Sequence, residues 1–164
     1  MITISEATLD DIPAIIDIAE KTWWPTYSKI LSADQIRYML DAIYSATILR
    51  KQIADGSQTF LTLTDEGTIK GFASFSKRTE DPAVFKLHKL YVLPERQSKG
   101  YGRMLVNHVM NRLLEENIHA LDLNVNRHNP ARRFYEKLGF RVLREEDIPI
   151  GPYWMNDYVM RIEF

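Results

Sequence analysis

The 164-residue chain contains no cysteine. That one absence removes disulfides, thiolate nucleophiles and thiolate metal sites together. An excess of charge of one sign is also missing, because 21 Lys and Arg are set against 22 Asp and Glu for a net charge of -1. There is then no global pull toward nucleic acid or anionic lipid, and any anion site must be local. No stretch is long and apolar enough to span a bilayer. The opening Met1-Ile2-Thr3-Ile4-Ser5-Glu6 lacks the basic segment and apolar core of a signal peptide. The expectation is a cytoplasmic protein with no nucleic-acid partner and no membrane partner. Histidines 88, 108, 119 and 128 form neither H-x-x-x-H nor H-E-x-x-H, so no metal is expected.

What is present is an ordinary globular composition, 45% hydrophobic and 26% charged. The length predicts a single domain over 1–164, large enough to build a core without staples. Ile12, Ile15, Ile16 and Ala19 mark one face of a first helix, begun by Asp10-Asp11 with Pro13 in its first turn. Ser32-x-x-Gln35 has capping-box spacing ahead of Ile36, Met39, Leu40 and Ile43. A third helix is predicted over about Ser45–Ala54, with Gly56 just past its end. The period then changes to two. Phe60, Leu61 and Leu63 lead through Asp65-Glu66-Gly67 into Ile69 to Phe75 as a hairpin, and a further strand follows over about Phe85–Val92. A helix carries Met104, Leu105, Val109, Leu113 and Leu114, and Leu121–Val125 reads as a strand. Asn129 suits an N-cap, Pro130 the first helical position and Gly139 a left-handed stop, and Ala131, Tyr135 and Leu138 share one face between them. Residues 141–144 and 158–162 read as closing strands. This order implies an α+β or mixed sheet.

The most informative stretch is Gln97-Ser98-Lys99-Gly100-Tyr101-Gly102, set between the strand that ends at Val92 and the helix that begins near Arg103. A glycine-punctuated turn at a helix start presents backbone N–H groups at a positively polarised end, a ready site for phosphate. Gln97, Lys99 and Arg103 add polar or cationic side chains. The same glycines also serve as a tight turn with no ligand. The loop lacks the Gly-Lys-Ser/Thr ending that grips nucleoside triphosphates with magnesium.

Leu90-Tyr91-Val92-x-Pro94, Gln97-x-x-Gly100-x-Gly102 and Asn129-Pro130-Ala131-x-x-Phe134-Tyr135-x-x-x-Gly139-Phe140 resemble, in order and spacing, the signature segments of the GNAT superfamily of N-acetyltransferases. The likeness covers essentially the whole chain. It implies an α+β (mixed α/β) fold, with a central twisted, mostly antiparallel sheet, a splayed parallel strand pair and flanking helices. It implies acetyl-CoA as co-substrate, no metal, and direct transfer to a small-molecule or peptide amine. Residues Leu90, Tyr91 and Val92 would pair with the pantetheine arm as an added strand does. Gln97, Ser98, Lys99, Gly100, Tyr101, Gly102 and Arg103 would hold the pyrophosphate. Asn129, Arg132, Tyr135 and Lys137 would complete the cofactor groove, with Tyr135 beside the sulfur as general acid.

A departing thiolate has a conjugate-acid pKa near ~8.5 and a phenol sits near ~10, so Tyr135 can donate a proton as charge develops. An aromatic that packs the helix on the sheet is the other reading of Tyr135. Relatives often place a carboxylate base on the strand before the loop, whereas this chain has His88 there. His88 is the candidate base, beside a hydrogen-bonded strand histidine or deprotonation through water. Lys86 and Lys89 flank that strand with no assigned role. Trp23, Trp24 and Tyr27, between the first helices, and Trp154 in the tail are expected to wall the acceptor site, where Trp faces can hold a cationic amine. One of Trp23 and Trp24 filling the core is the other reading. Thr22-Trp23-x-x-x-Tyr27 and Asp157-x-x-Met160 resemble the PaiA-type polyamine (spermidine/spermine) acetyltransferases. Peptide and aminoglycoside acceptors stay open, as do a homodimer and a non-catalytic acyl-CoA-binding domain on the same fold.

Overall fold

The computed structural model describes residues 1–164, except that the side chain of Ser98 lies outside the described residues. Seven strands form one sheet. They are β1 (Thr3–Glu6), β2 (Thr59–Asp65), β3 (Thr68–Lys77), β4 (Phe85–Val92), β5 (Ala120–Asn126), β6 (Arg141–Ile150) and β7 (Tyr153–Glu163). Their order across the sheet is β1-β2-β3-β4-β5-β7-β6. Every neighbouring pair is antiparallel except β4 and β5. Helices α1 (Ile12–Tyr27), α2 (Ala33–Ile43) and α3 (Ala46–Asp55) pack on one face, and α4 (Tyr101–Glu115) and α5 (Ala131–Leu138) on the other.

The local signals explain most boundaries. The Ser32 hydroxyl accepts the Gln35 amide at 3.1 Å and the Ser45 hydroxyl accepts the Ile48 amide at 3.2 Å, so both helices start on a satisfied donor. The reciprocal half of the capping box is absent, because Gln35 Nε2 instead donates to the Trp154 carbonyl at 2.8 Å. Gly56 and Gly139 close α3 and α5 in the left-handed conformation. Two expectations are corrected. The aromatic segment from Thr22 to Tyr27 is not a connection but the last turns of α1, with Pro25 inside the helix. The closing strands run much further than residues 141–144 and 158–162, because β6 and β7 form a long hairpin whose tip reaches α2.

Two cores sandwich the sheet. Phe85, Leu87 and Val92 of β4 join Leu121, Leu123 and Val125 of β5 against Leu105, Val109 and Leu113 of α4. Phe60 and Phe72 meet Ile15, Trp23, Ile36 and Leu49 on the other side. Between these layers β4 and β5 pair only briefly, Phe85–Leu87 against Leu121–Leu123, and then part. The paired end is clamped by Asp122, which is 1% exposed. Its carboxylate accepts from Arg78 Nε at 2.8 Å, and from Arg161 Nε at 2.6 Å and Nη2 at 3.0 Å, tying the segment after β3 to β5 and β7.

The strand β4 also carries a β-bulge. Lys89 pairs with Ser74 but Leu87 with Phe75, which leaves His88 as the extra residue. Alternation restarts one residue late, so Leu90 and Val92 return to the same core as Phe85 and Leu87. On the opposite face the bulge brings Lys86, His88, Lys89 and Tyr91 to one wall.

Removing one member of a buried charge cluster strands the others. We therefore expect Asp122→Ala, which leaves two arginines without their shared carboxylate, to lower unfolding free energy by about 3–5 kcal/mol in a denaturant titration.

Candidate active site

Past Leu87 and Leu123 the two strands diverge, and the space beside them opens into a cavity of about 380 Å³. One wall is β4 and the floor carries Asn124 and Asn126 of β5. Trp23 and Tyr27, one helical turn apart, face it from α1 with ring centroids 4.6 Å apart. Tyr44 and Ile48 close the side toward α2 and α3. Ile148, Ile150, Met155 and Asp157 of the β6–β7 hairpin form the far wall. The hairpin is held there by the Gln35 bond to Trp154 and by Tyr153, whose ring lies 5.4 Å from Tyr38.

Burial sets the protonation of this wall. Desolvation, reinforced by Lys86, Lys89 and Arg78, lowers His88 to about 3, and its Nε2 lies 2.6 Å from the Ser76 hydroxyl. The ring is therefore neutral at physiological pH and a weak proton acceptor. Lys89 is 5% exposed, and burial with help from Lys86 lowers it to about 8. Desolvation lowers Lys86 as well, with Arg78 adding to the effect. Asp157 is 6% exposed, and burial raises its carboxyl, opposed by the Asn124 hydrogen bond and by Lys86. Asn124 Nδ2 donates to Asp157 Oδ2 at 3.3 Å, while Asp157 Oδ1 is buried with no hydrogen-bond partner.

Burial also raises Tyr27, Tyr44, Tyr91 and Tyr135, keeping all four phenols protonated. Tyr135 packs against the core on the α4 side. Its ring packs edge-on against Phe134 and Phe140 at 5.3 and 5.7 Å.

At the open end of β4, Leu90, Tyr91 and Val92 pair with Ala73, Phe72 and Gly71 on one edge only. The edge toward β5 is free. The Val92 carbonyl accepts from Gln97 Nε2 at 3.3 Å. A 3-10 turn over Pro94–Lys99 leads to Gly100, which has φ 79° and no heavy atom within 4 Å of where a Cβ would stand. The first regular bond of α4 runs from the Met104 amide to the Gly100 carbonyl, so the amides before it are the helix's orphan donors. Lys99 and Arg103 are exposed beside them. Gly102 carries a second constraint. A Cβ there would stand 3.1 Å from Phe134 Cζ, so this glycine also permits the close approach of α5 to α4. The side chain of Tyr101 turns inward, its hydroxyl donating to Asp65. Asn129 Oδ1 caps α5 by accepting the Ala131 amide at 2.9 Å, and its Nδ2 donates to the Tyr27 hydroxyl at 3.4 Å.

Of the predicted site residues, His88, Tyr91, Trp23 and Tyr27 meet in the cavity, with Asn129 bonded to Tyr27 at its border and Tyr135 packed with the α4-side core. Four others lie elsewhere. Trp24 donates from Nε1 to Glu20 at 3.1 Å, away from the cavity. Trp154 is 57% exposed, since its neighbours Met155 and Asp157 take the inward positions of β7. Arg132 stacks its guanidinium 4.7 Å over Tyr158 and pairs with Glu136. Lys137 is exposed on α5. Sequence reasoning gave no site role to Lys89 or Gln58. The phase slip Phe85, Leu87, then Leu90, Val92 was the available signal for the bulge that turns Lys89 inward. The free strand edge, the open space at Gly100 and the helix-start amides together fit a pantetheine arm with its pyrophosphate. Among the described residues no cluster of three or more histidine or carboxylate groups could hold a metal ion.

Comparison with known proteins agrees with this geometry. Residues 28–152 match the model of the acetyltransferase (GNAT) domain. An uncharacterised N-acetyltransferase of Bacillus subtilis is 27% identical, over 92% of this chain and 87% of its own length. The spermidine N(1)-acetyltransferase of Thermoplasma acidophilum is 28% identical, over 86% of this chain and 89% of its own. The crystal structure of a PaiA N-acetyltransferase of T. acidophilum in complex with coenzyme A superposes with a TM-score of 0.86 at 26% identity, covering 100% of this chain and 99% of that one.

The lowered His88 has a thermodynamic consequence. Unfolded imidazole binds its proton near ~6.5, and the folded ring only near 3. The unfolded state thus holds more protons in between, and stability rises with pH across that window. We expect the melting temperature to fall as pH drops from 6.5 toward 4, and to fall less in His88→Gln. The ring should also show no protonation at pH 5 by NMR, and a resonance titrating near 6.5 would contradict the burial effect.

Proposed function

The chain belongs to the GNAT family of acetyl-CoA-dependent N-acetyltransferases, and on that premise we propose that it moves the acetyl group directly onto a primary amine held in the cavity beside β4 and β5. The observation that carries this is a free β4 edge running into a cavity that holds a carboxylate with an unpartnered oxygen. When bound, acetyl-CoA supplies the activated acetyl thioester. Leu90, Tyr91 and Val92 orient its arm by backbone pairing, as an added strand would be held. The amides from Gly100 to Arg103, with Lys99 and Arg103 beside them, bind its pyrophosphate.

Chemistry at the amine falls to the chain's own groups. Asp157 Oδ1 takes the proton that the amine nitrogen gives up, and its raised pKa makes it a better acceptor than an exposed aspartate. His88, held neutral and weakly basic, serves the wall and the Ser76 contact instead of the base role expected of it. Tyr135 keeps a proton on its phenol oxygen for the departing sulfur, and its burial ensures that the proton is present. Trp23, Tyr27 and Met155 exclude water around the reacting groups. A cytoplasmic location and one domain over 1–164 belong to the same proposal.

The finer acceptor, a polyamine, is supported by the spermidine activity named for the T. acidophilum relative. The cavity offers such a polycation one carboxylate, Asp157, and sets two lysines against it.

A released-thiol assay over a broad amine panel tests the activity, and no release with any amine would favour a binding module on this fold. Tyr135→Phe should keep acetyl-CoA binding and slow transfer at least about tenfold. Asp157→Asn should lower kcat/KM about a hundredfold or more, a loss that Tyr135→Phe does not compound if both act in one step.

A further inference from the structure

One charge on the cavity wall, that of Lys89, has no carboxylate partner among the described residues. Lys89 is 5% exposed and lines the cavity, yet its ammonium makes one described hydrogen bond, to Gln58 Oε1 at 2.8 Å. That oxygen also accepts from the Ser74 hydroxyl at 2.8 Å. The rings of Phe60 and Tyr44 lie 5.2 and 5.8 Å from Lys89 Nζ. Among the described ion pairs Lys89 has no carboxylate partner. Asp157 acts on Lys86, and Lys86 itself only adds positive potential at Lys89. A cation buried without a counter-charge is among the least favourable groups a fold can hold, and lysine is rarely buried unless paired.

A ligand anion resolves the imbalance. The donor cannot bring it, because its phosphates belong at the start of α4 and the pantetheine arm that reaches the cavity is uncharged. The counter-charge must come from the acceptor. With one of three N–H donors used by Gln58, the ammonium has two left and one positive charge to offer. That matches the single charge of a carboxylate better than a phosphate carrying nearly two.

We propose that the acceptor is a small primary amine that also carries a carboxylate, seated on Lys89 while its amine faces Asp157. This rests on the N-acetyltransferase activity proposed above. It places the acceptor among amino acids and related zwitterions and against polyamines, and it makes Lys89 a specificity-determining residue.

The test uses amines that differ by one carboxylate: ornithine against putrescine, lysine against cadaverine, tyrosine against tyramine. At pH 7 the enzyme should favour the carboxylate-bearing member of at least one pair by tenfold or more in kcat/KM. Lys89→Met should cut that preference at least tenfold, mainly through KM, and Lys89→Gln should do the same if the methionine variant folds poorly. The ligand-free melting temperature of Lys89→Met should rise, since a charge kept for a ligand is a burden to the empty fold. Preference for the decarboxylated member in every pair that reacts, or a carboxylate preference unmoved by Lys89→Met, overturns the proposal. A lowered melting temperature would make the ammonium a structural group and overturn it too. Acetylation without charge preference sinks this inference alone, whereas no thiol release from any amine removes the activity beneath it.

Discussion

The parting of β4 from β5 is the constraint on which the site depends. A sheet satisfies its backbone groups by pairing, and a strand in its middle normally has no edge to offer. Here the middle of the sheet has one, because pairing stops at Leu87 and Leu123. The opening stays local because both ends are fixed. Asp122 and its two arginines clamp the paired end, tying β5 to β7 and to the segment after β3. Helix α4 fills the other face beneath the gap with Leu105, Val106 and Val109. Without the clamp the gap could close by re-registering, and without α4 it would expose the core.

The bulge at His88 makes the second contribution. An ordinary strand would send His88 and Lys89 to opposite faces. The extra residue turns both toward the cavity, and two cationic or titratable groups then crowd against Lys86. Their mutual repulsion and desolvation account for a neutral imidazole and a softened ammonium on one short stretch. The same low-dielectric wall works in the opposite direction on acids, holding the tyrosines protonated and raising Asp157. One cause, burial, thus separates the groups that keep protons from those that shed them.

Much of the backbone geometry on the proposed donor side could be read from the residues alone. Gly100, Asn129, Pro130 and Gly139 act through backbone conformation, which local sequence encodes, and the structure finds a positive φ at Gly100 and Gly139 and a cap at Asn129. Helix starts at Ser32 and Ser45 were legible for the same reason. The packing demand on Gly102 was not legible because its neighbour, Phe134, is distant in sequence. The acceptor half was poorly legible throughout. Trp24 and Trp154 look as aromatic as Trp23, and only helix phase and strand alternation decide which of them faces inward. Lys89 was given no role because lysine is usually a solvated charge, and the length of β7, which brings Asp157 to the cavity, was not apparent.

This difference has a physical root in how β4 is used. In the proposed function its edge addresses the donor through backbone groups, which any side chain leaves in place. Its inward face, on the same proposal, addresses the acceptor through Lys86, His88, Lys89 and Tyr91, which are side chains and nothing else. The two functions share residues without sharing atoms, as Tyr91 illustrates with a free backbone edge and a ring in the cavity. Substitution on the inward face can therefore change which amine is accepted while the donor site persists. A fold so arranged keeps its co-substrate and varies its acceptor, and the donor signature in its sequence carries little information about the molecule that receives the acetyl group.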